Sequence, residues 1–249
     1  CFRVPVSGGH MAAVFASFRD TPSEQEILDA WVSFRGEPQL LALPSAPAQF
    51  IRYFELLTEW NQVMNLTAIT DFEDVFKKHF VDSLSIVKAC KEIREKNISV
   101  IDIGTGAGFP GVPLKIAFPQ IRLTLLDSLQ KRIRFLGELV KELELNDVEL
   151  IHGRAEDFAT PSKKREKYDL CVSRAVANLS TLSELCLPYV REGGFFISYK
   201  SEKVTEEAKT AEHAISLLGG KIVGQKEFFL PDSDIYRNLF MIKKVRPTP

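Results

Sequence analysis

No cluster of histidine and cysteine with metal-ligand spacing occurs in the 249 residues, and the four cysteines, Cys1, Cys90, Cys171 and Cys186, show no paired spacing. The first absence argues against a bound metal and the second against a disulfide framework. Cys171 lies in an apolar strand-like run and Cys186 in an apolar helix-like run, so they read as reduced thiols of a cytoplasmic protein. No apolar run approaches the ~20 residues of a membrane span. No signal peptide is recognisable, although the chain opens on Cys1 rather than Met. Excess charge is missing too: 32 basic residues face 33 acidic ones. Any contact with nucleic acid must therefore come from a local patch, not a global field. Internal repeats and low-complexity tracts are absent.

What is present is a hydrophobic content of 45%, enough for a proper core, in a length that suits one large domain or two small ones. Residues 38–48 hold Pro38, Pro44 and Pro47 and read as a boundary. Phe50–Asn61 is a helical pattern with Phe50, Phe54, Leu57 and Trp60 along one stripe. A second helical region covers Phe72–Cys90. From Ser99 onward strands and helices alternate. Strands are expected at 99–103, 123–126, 148–152, 169–173 and 194–199, and helices at 111–118, 129–143, 179–190 and 203–218. The runs 221–229 and 237–244 read as a closing antiparallel pair. This alternation predicts an α/β fold, a mostly parallel seven-stranded sheet with helices on both faces and a helical extension before it. Three parts are expected: an atypical segment over 1–48, a helical part over 49–98 and the Rossmann-like domain over 99–249.

The most informative stretch is Val100-Ile-Asp-Ile-Gly-Thr-Gly-Ala-Gly-Phe-Pro-Gly111, followed by a strand-like run that ends on Asp127. Glycines let the backbone turn sharply out of a buried strand and approach a ligand. A carboxylate at the tip of the second strand can accept both hydroxyls of a ribose. Two patterns overlap here. Gly106, Gly108 and Gly111 fit the dinucleotide fingerprint. Asp102 with Gly104, Gly106 and Gly108 fits the first motif of Rossmann-like class I S-adenosylmethionine methyltransferases. The second is favoured, because Asp102 would repel a pyrophosphate yet could hold the loop or a cationic amino-acid group. Pro110 and Pro113 also remove N–H donors that a pyrophosphate would use. A further acidic segment, Arg154-Ala155-Glu156-Asp157, follows the third strand.

Several motifs then occur in order: LTEWNQVMNLTAIT at Leu57–Thr70, Lys78-His79-Phe80-Val81-Asp82-Ser83, Asp102–Pro113, Leu126-Asp127-Ser128 with Lys131-Arg132, and Ser173-Arg174-Ala175. Together they resemble the RsmG (GidB) family, the guanine-N7 methyltransferases of 16S ribosomal RNA, over about residues 49–249. The resemblance implies that Gly104 and Phe109 line the cofactor S-adenosylmethionine, with Asp102, Gly106 and Gly108 in the same loop. It implies that Asp127 takes the ribose, that Ala155 and Glu156 flank the adenine, and that Arg174 stands near methionine and the target base as the catalytic residue. It further implies methyl transfer to guanine N7 in the 530 loop of the small-subunit RNA, free, in an assembly intermediate or in the finished subunit, by a monomer. Such an attack needs no general base, so the lack of an Asn-Pro-Pro-Tyr motif or a catalytic Cys-Pro pair is expected. Asp82, Ser83 and Ser173 are possible contacts to the base. Lys78, His79, Lys131, Arg132 and Lys200 are the candidate RNA-binding residues, whereas the cluster at 163–167 is expected on the opposite rim.

Residues 1 to about 55 resemble instead a carboxy-terminal fragment of aspartate-semialdehyde dehydrogenase. The resemblance rests on Arg3-Val4-Pro5-Val6 with Gly9-His10, and on Gln49-Phe50 with Tyr53-Phe54-Glu55. That family's acid–base pair would map to Arg3 and His10. Its nucleotide-binding half and its cysteine nucleophile are missing, so no dehydrogenase activity is expected. A cloning scar at Gly8–Met11 would leave residues 12–48 unexplained. The alternatives to the methyltransferase reading are a non-catalytic RNA- or ribosome-binding module and, below it, a nicotinamide-dependent dehydrogenase remnant.

Overall fold

The computed structural model describes residues 46–174, 177–202 and 204–249. The features expected over residues 1–45, including the Arg3 and His10 pair, lie outside the described residues. Helix α1 runs over Ala46–Met64. Its buried line is Phe50, Tyr53, Leu56 and Leu57, while Phe54 and Trp60 flank it half-buried. The expected helix over 72–90 is a run of changing pitch: α-helical Phe72–Val75, π-helical Phe76–Val81, a short α-turn Asp82–Leu84, then 3-10 turns Ser85–Lys88 and Lys91–Arg94. Val75 and Phe80, both buried, stand five residues apart, the repeat of a π-turn. That spacing points Phe80 into the core.

Then follow β1 (Ser99–Ile103), α2 (Gly111–Ala117), β2 (Arg122–Asp127), α3 (Gln130–Glu142), β3 (Val148–His152), α4 (Ala155–Phe158), β4 (Tyr168–Arg174), α5 (Leu179–Cys186), β5 (Val190–Lys200), α6 (Thr205–Leu217), β6 (Gly220–Phe229) and β7 (Tyr236–Lys244). The helix expected to reach 190 stops at Cys186 and tightens into a 3-10 turn. Pro188 has no N–H to carry the α-helical ladder on.

The seven strands lie in the order β3-β2-β1-β4-β5-β7-β6. The first five are parallel, and β7 is antiparallel to both of its neighbours. The strand period of two divides the core. Val100, Leu123, Leu125 and Val172 pack under α1, α2, α3 and the 72–94 run. Ile101, Ile103, Cys171 and Phe196 pack under α5 and α6 on the other face. Cys90, Cys171 and Cys186 are buried free thiols. Strand order reverses between β1 and β4, so the crevice beyond the carboxyl ends of these two strands is where such a sheet receives a ligand. Among the described residues no helix is long and apolar enough to cross a membrane.

Candidate functional site

A deep cleft opens at that crevice. It has a volume of about 860 Å³, within the range of small-molecule sites. Going along the sheet edge, it is lined by Asp127 at the end of β2 with Ser128 and Arg132 beyond it, by the 104–109 loop after β1, by Arg174 on β4, by Tyr199 and Lys200 at the end of β5 with Ser201 and Glu202 beyond it, and by Arg237 on β7. Lys78, His79 and Asp82 close it from the 72–94 run.

The glycine loop is held from behind. Asp102, fully buried, accepts from the Thr105 hydroxyl at 2.8 Å and from the Gly111 N–H at 2.9 Å. Burial pushes its carboxyl up to about 6, opposed by those two hydrogen bonds. Its other oxygen, Oδ1, has no hydrogen-bond partner among the described residues. Asp102 therefore fixes the loop and does not itself line the cleft. Gly106 and Gly108 both need positive φ, of +63° and +101°, but for different surroundings. A Cβ on Gly106 would meet nothing within 4 Å, because the residue faces the open cleft. A Cβ on Gly108 would stand 2.7 Å from the Tyr53 hydroxyl and 2.8 Å from Val112. Gly108 thus serves the close packing of loop on helix, and is not exposed to a ligand. Gly104 lines the cleft, as does Phe109, whose ring stacks on Tyr53 at 5.1 Å and on His79 at 4.6 Å.

Asp127 ends β2 with both oxygens in use. Oδ2 accepts from Gly106 N–H at 2.9 Å and from Arg132 at 3.2 Å, and Oδ1 accepts from Leu129 N–H at 2.9 Å. Arg132 is therefore turned into the cleft, whereas Lys131 beside it lies exposed near the Met64 carbonyl. Ala155 and Glu156 are not brought to the cleft. Ala155 is buried in the core under α5, with its carbonyl bonded by the Tyr189 hydroxyl, and Glu156 faces solvent beside Arg154.

Arg174 is the most connected group of the site. Its Nη1 donates to the Lys78 carbonyl and to Asp82 Oδ2, each at 3.3 Å, and its Nη2 stands 3.1 Å from His79 Nδ1. The guanidinium also lies 5.0 Å from the centre of the Phe109 ring. Nδ1 of His79 must then accept, which leaves its Nε2 to donate to the Thr67 hydroxyl at 3.0 Å. Burial and the Arg174 charge hold His79 down at about 4, so it is neutral. Asp82, also buried, has Arg237 Nε 2.9 Å from its Oδ1 and Arg174 at its Oδ2. Ser83 and Ser173 spend their hydroxyls on the His79 and Ile103 carbonyls.

The basic residues divide. Lys78 pairs with Asp74 at 2.8 Å and stays partly exposed at the cleft. Lys200 is bound to Glu207 at 2.7 Å and to the Ala177 carbonyl at 2.9 Å. Lys164 and Lys167 line a separate cavity at the opposite edge of the sheet, where strands β1, β2 and β3 begin. Tyr199, Ser201, Glu202 and Arg237 are cleft residues that reading the sequence missed. For Arg237 a signal was available: a last strand antiparallel to its neighbours must begin at the edge where the parallel ones end.

A family model described as GidB, rRNA small subunit methyltransferase G, matches residues 46–234. The ribosomal RNA small subunit methyltransferase G of Lachnoclostridium phytofermentans is 55% identical over 201 residues, covering 81% of this chain and 82% of that one. That of Clostridium novyi is 53% identical with the same coverage. Among solved structures, TYW2 of Pyrococcus horikoshii in complex with MeSAdo superposes with a TM-score of 0.51 at 13% identity, over 66% of this chain and 61% of that one. TYW2 of M. jannaschii in complex with AdoMet gives a TM-score of 0.50 at 14% identity, over 66% of this chain and 77% of that one. At such identities these structures establish the fold alone. The family match begins at Ala46, inside the stretch read as dehydrogenase-like to about residue 55, and the dehydrogenase resemblance receives no support from any of these proteins.

Proposed function

The chain belongs to the GidB family, rRNA small subunit methyltransferase G, and from that premise we propose that it methylates N7 of a guanine in the 530 loop of 16S ribosomal RNA with S-adenosylmethionine as methyl donor. It is a methyltransferase, and the dehydrogenase alternative falls with the family assignment. The observation that carries the reading is the cleft itself, which runs from a ribose-type carboxylate, Asp127, past the open Gly106 to Arg174.

The residues present fit the cofactor. Asp127 stands where a ribose diol would bind, and would exchange Arg132 for it. Gly106 leaves room for the ligand against the backbone. The unpartnered Oδ1 of Asp102 lies behind the loop and favours a cationic amino-acid end nearby. When bound, S-adenosylmethionine supplies a methyl group already activated on a sulfonium. Guanine N7 carries a free lone pair, so no proton has to leave before it accepts that methyl. The protein side agrees: His79 Nδ1 and both oxygens of Asp127 accept within the fold, Asp82 is ion-paired with Arg174 and Arg237, and none is set up as a base. The chain's task is positioning, and Arg174, fixed by four partners, is the residue placed to do it.

The substrate is 16S ribosomal RNA, free, in an assembly intermediate or in the small subunit, the enzyme works as a monomer, and both meet in the cytoplasm. The test is transfer of tritiated methyl groups from S-adenosylmethionine to small subunits lacking the modification, with the product nucleoside identified by mass spectrometry. Label in 7-methylguanosine is expected. Label in any other nucleoside would overturn the guanine-N7 assignment.

A further inference from the structure

Neighbouring strands lie ~4.8 Å apart, so from Asp127 on β2 to Lys200 on β5 the sheet edge spans three steps, roughly 14 Å. A ligand whose ribose rests on Asp127 occupies the β2 and β1 end. What remains of the cleft, beyond Arg174, is walled by Lys200 at the end of β5, by Ser201 and Glu202 after it, and by Arg237 on β7. The acceptor base must enter there.

The polar groups of that wall are unequal. Lys200 is spent on Glu207 and the Ala177 carbonyl. Arg237 is held by Asp82 and by the Tyr236 carbonyl. The three carboxylates that line the cleft are Asp82, Asp127 and Glu202. Asp82 faces two arginines and Asp127 faces Arg132 and two backbone N–H groups. Glu202 alone of the three has no hydrogen bond or ion pair among the described residues, and it is exposed, two residues beyond the end of β5.

We propose that Glu202 reads the target base, its carboxylate accepting from both N1–H and the N2 amino group of guanine. The proposal rests on the guanine-N7 reading and deepens it. Two parallel donors on one edge of guanine match the two oxygens of a carboxylate, while adenine offers an acceptor at N1 and no group at C2, so a carboxylate rejects it. The same contact leaves N7, on the far side of the ring, free to face the methyl donor. It also strengthens as the reaction proceeds: once N7 takes the methyl group the purine is cationic, N1–H becomes a better donor, and an anion beside it favours the charged ring over the neutral one. Glu202 thereby supplies both selection and charge compensation, from the one unengaged carboxylate on the acceptor side.

The test uses the full chain, as wild type, Glu202→Ala and Glu202→Gln. The substrates are small subunits reconstituted with 16S ribosomal RNA that carries guanine or inosine at the target position. Inosine keeps N7, O6 and N1–H and lacks only the N2 amino group. A hydrogen bond to a charged group corresponds to roughly 10- to 100-fold. Wild type should lose about that factor in kcat/KM on inosine, and Glu202→Ala should lose as much or more on guanine while showing little further loss on inosine. Glu202→Gln, with one acceptor in place of two, should fall between. Cofactor affinity measured by calorimetry should not change in either variant. Losses that multiply independently, or a Glu202→Ala variant as fast as wild type on guanine, would overturn the role of Glu202 while leaving the reaction assigned. Absence of 7-methylguanosine with wild type on the guanine substrate would overturn the reaction, and this proposal with it.

Discussion

The Tyr53 hydroxyl donates to the Ala107 carbonyl at 2.6 Å, across 54 residues of sequence, and so ties helix α1 to the glycine loop. The bond is fully buried, and burial holds the phenol well above its ordinary range, so it keeps the proton it donates. The helix that precedes the sheet is therefore part of the wall behind the cleft. Tyr53→Phe should keep the stack on Phe109 and lose this one bond, at about 1 kcal/mol in a denaturant titration. Equal stability would show the contact to be energetically empty.

Two alanine substitutions, two residues apart in the glycine loop, should separate packing from binding. Gly108→Ala drives a methyl group into Tyr53 and Val112 at a φ of +101°, and should cost about 2–4 kcal/mol of stability. Gly106→Ala meets no protein atom and should cost only about 1–2 kcal/mol for its left-handed backbone. Its methyl group intrudes on the ligand's space, so calorimetry should show weakened S-adenosylmethionine binding. The reverse order of stabilities would refute this division.

Asp127→Ala removes the acceptor for Gly106, Leu129 and Arg132 together. Cofactor affinity should fall roughly 10- to 100-fold, and Asp127→Asn should fall less, because it keeps an oxygen for one N–H. Unaltered calorimetric affinity would remove Asp127 from the binding site.

Arg174→Ala should leave the protein folded, since Asp82 keeps Arg237, while methyl transfer drops about 10²-fold. Arg174→Lys restores the charge without the planar fork that joins Asp82, His79 and the Lys78 carbonyl, and should recover only part of the rate. Turnover equal to wild type in the alanine variant would exclude Arg174 from the reaction.

His79 gives a test on pH. Its folded value of about 4 lies below the ordinary 6.5. The unfolded chain then binds the proton more readily between these values. This contribution to stability is fully present above pH 6.5 and is lost as pH falls toward 4, to a limit of about 3 kcal/mol. The His79 ring resonances should stay those of neutral imidazole at pH 5.5, and His79→Gln should flatten the stability profile over that window. A ring titrating near 6.5 would contradict the geometry.

The sheet was largely legible in the sequence because its strands are short apolar runs set between turn residues, as at 99–103 and 148–152, where the expected limits and the observed ones coincide. Asp127 was legible for the same reason: it is the polar residue that stops such a run. The 72–94 region was not, since a π-turn and two 3-10 turns keep helical composition and change only pitch. Charge gave no orientation either. Lys200 and Arg132 are RNA-binding candidates in the sequence, yet one is paired with Glu207 and the other with Asp127, partners 7 and 5 residues away that periodicity alone does not pick out. The convergence of Arg237 with Asp82 depends on the antiparallel pairing of β7 beside β5, a tertiary fact.

That last strand also sets an order in time. The groups around Asp127 leave the ribosome roughly a hundred residues before Arg237 does, which at ~5–20 residues per second is a delay of several seconds or more. A nascent chain thus owns its donor half before its acceptor half exists. Arg174 waits, through Asp82, for a partner not yet synthesised, and the completed cleft is a product of the last strand to arrive.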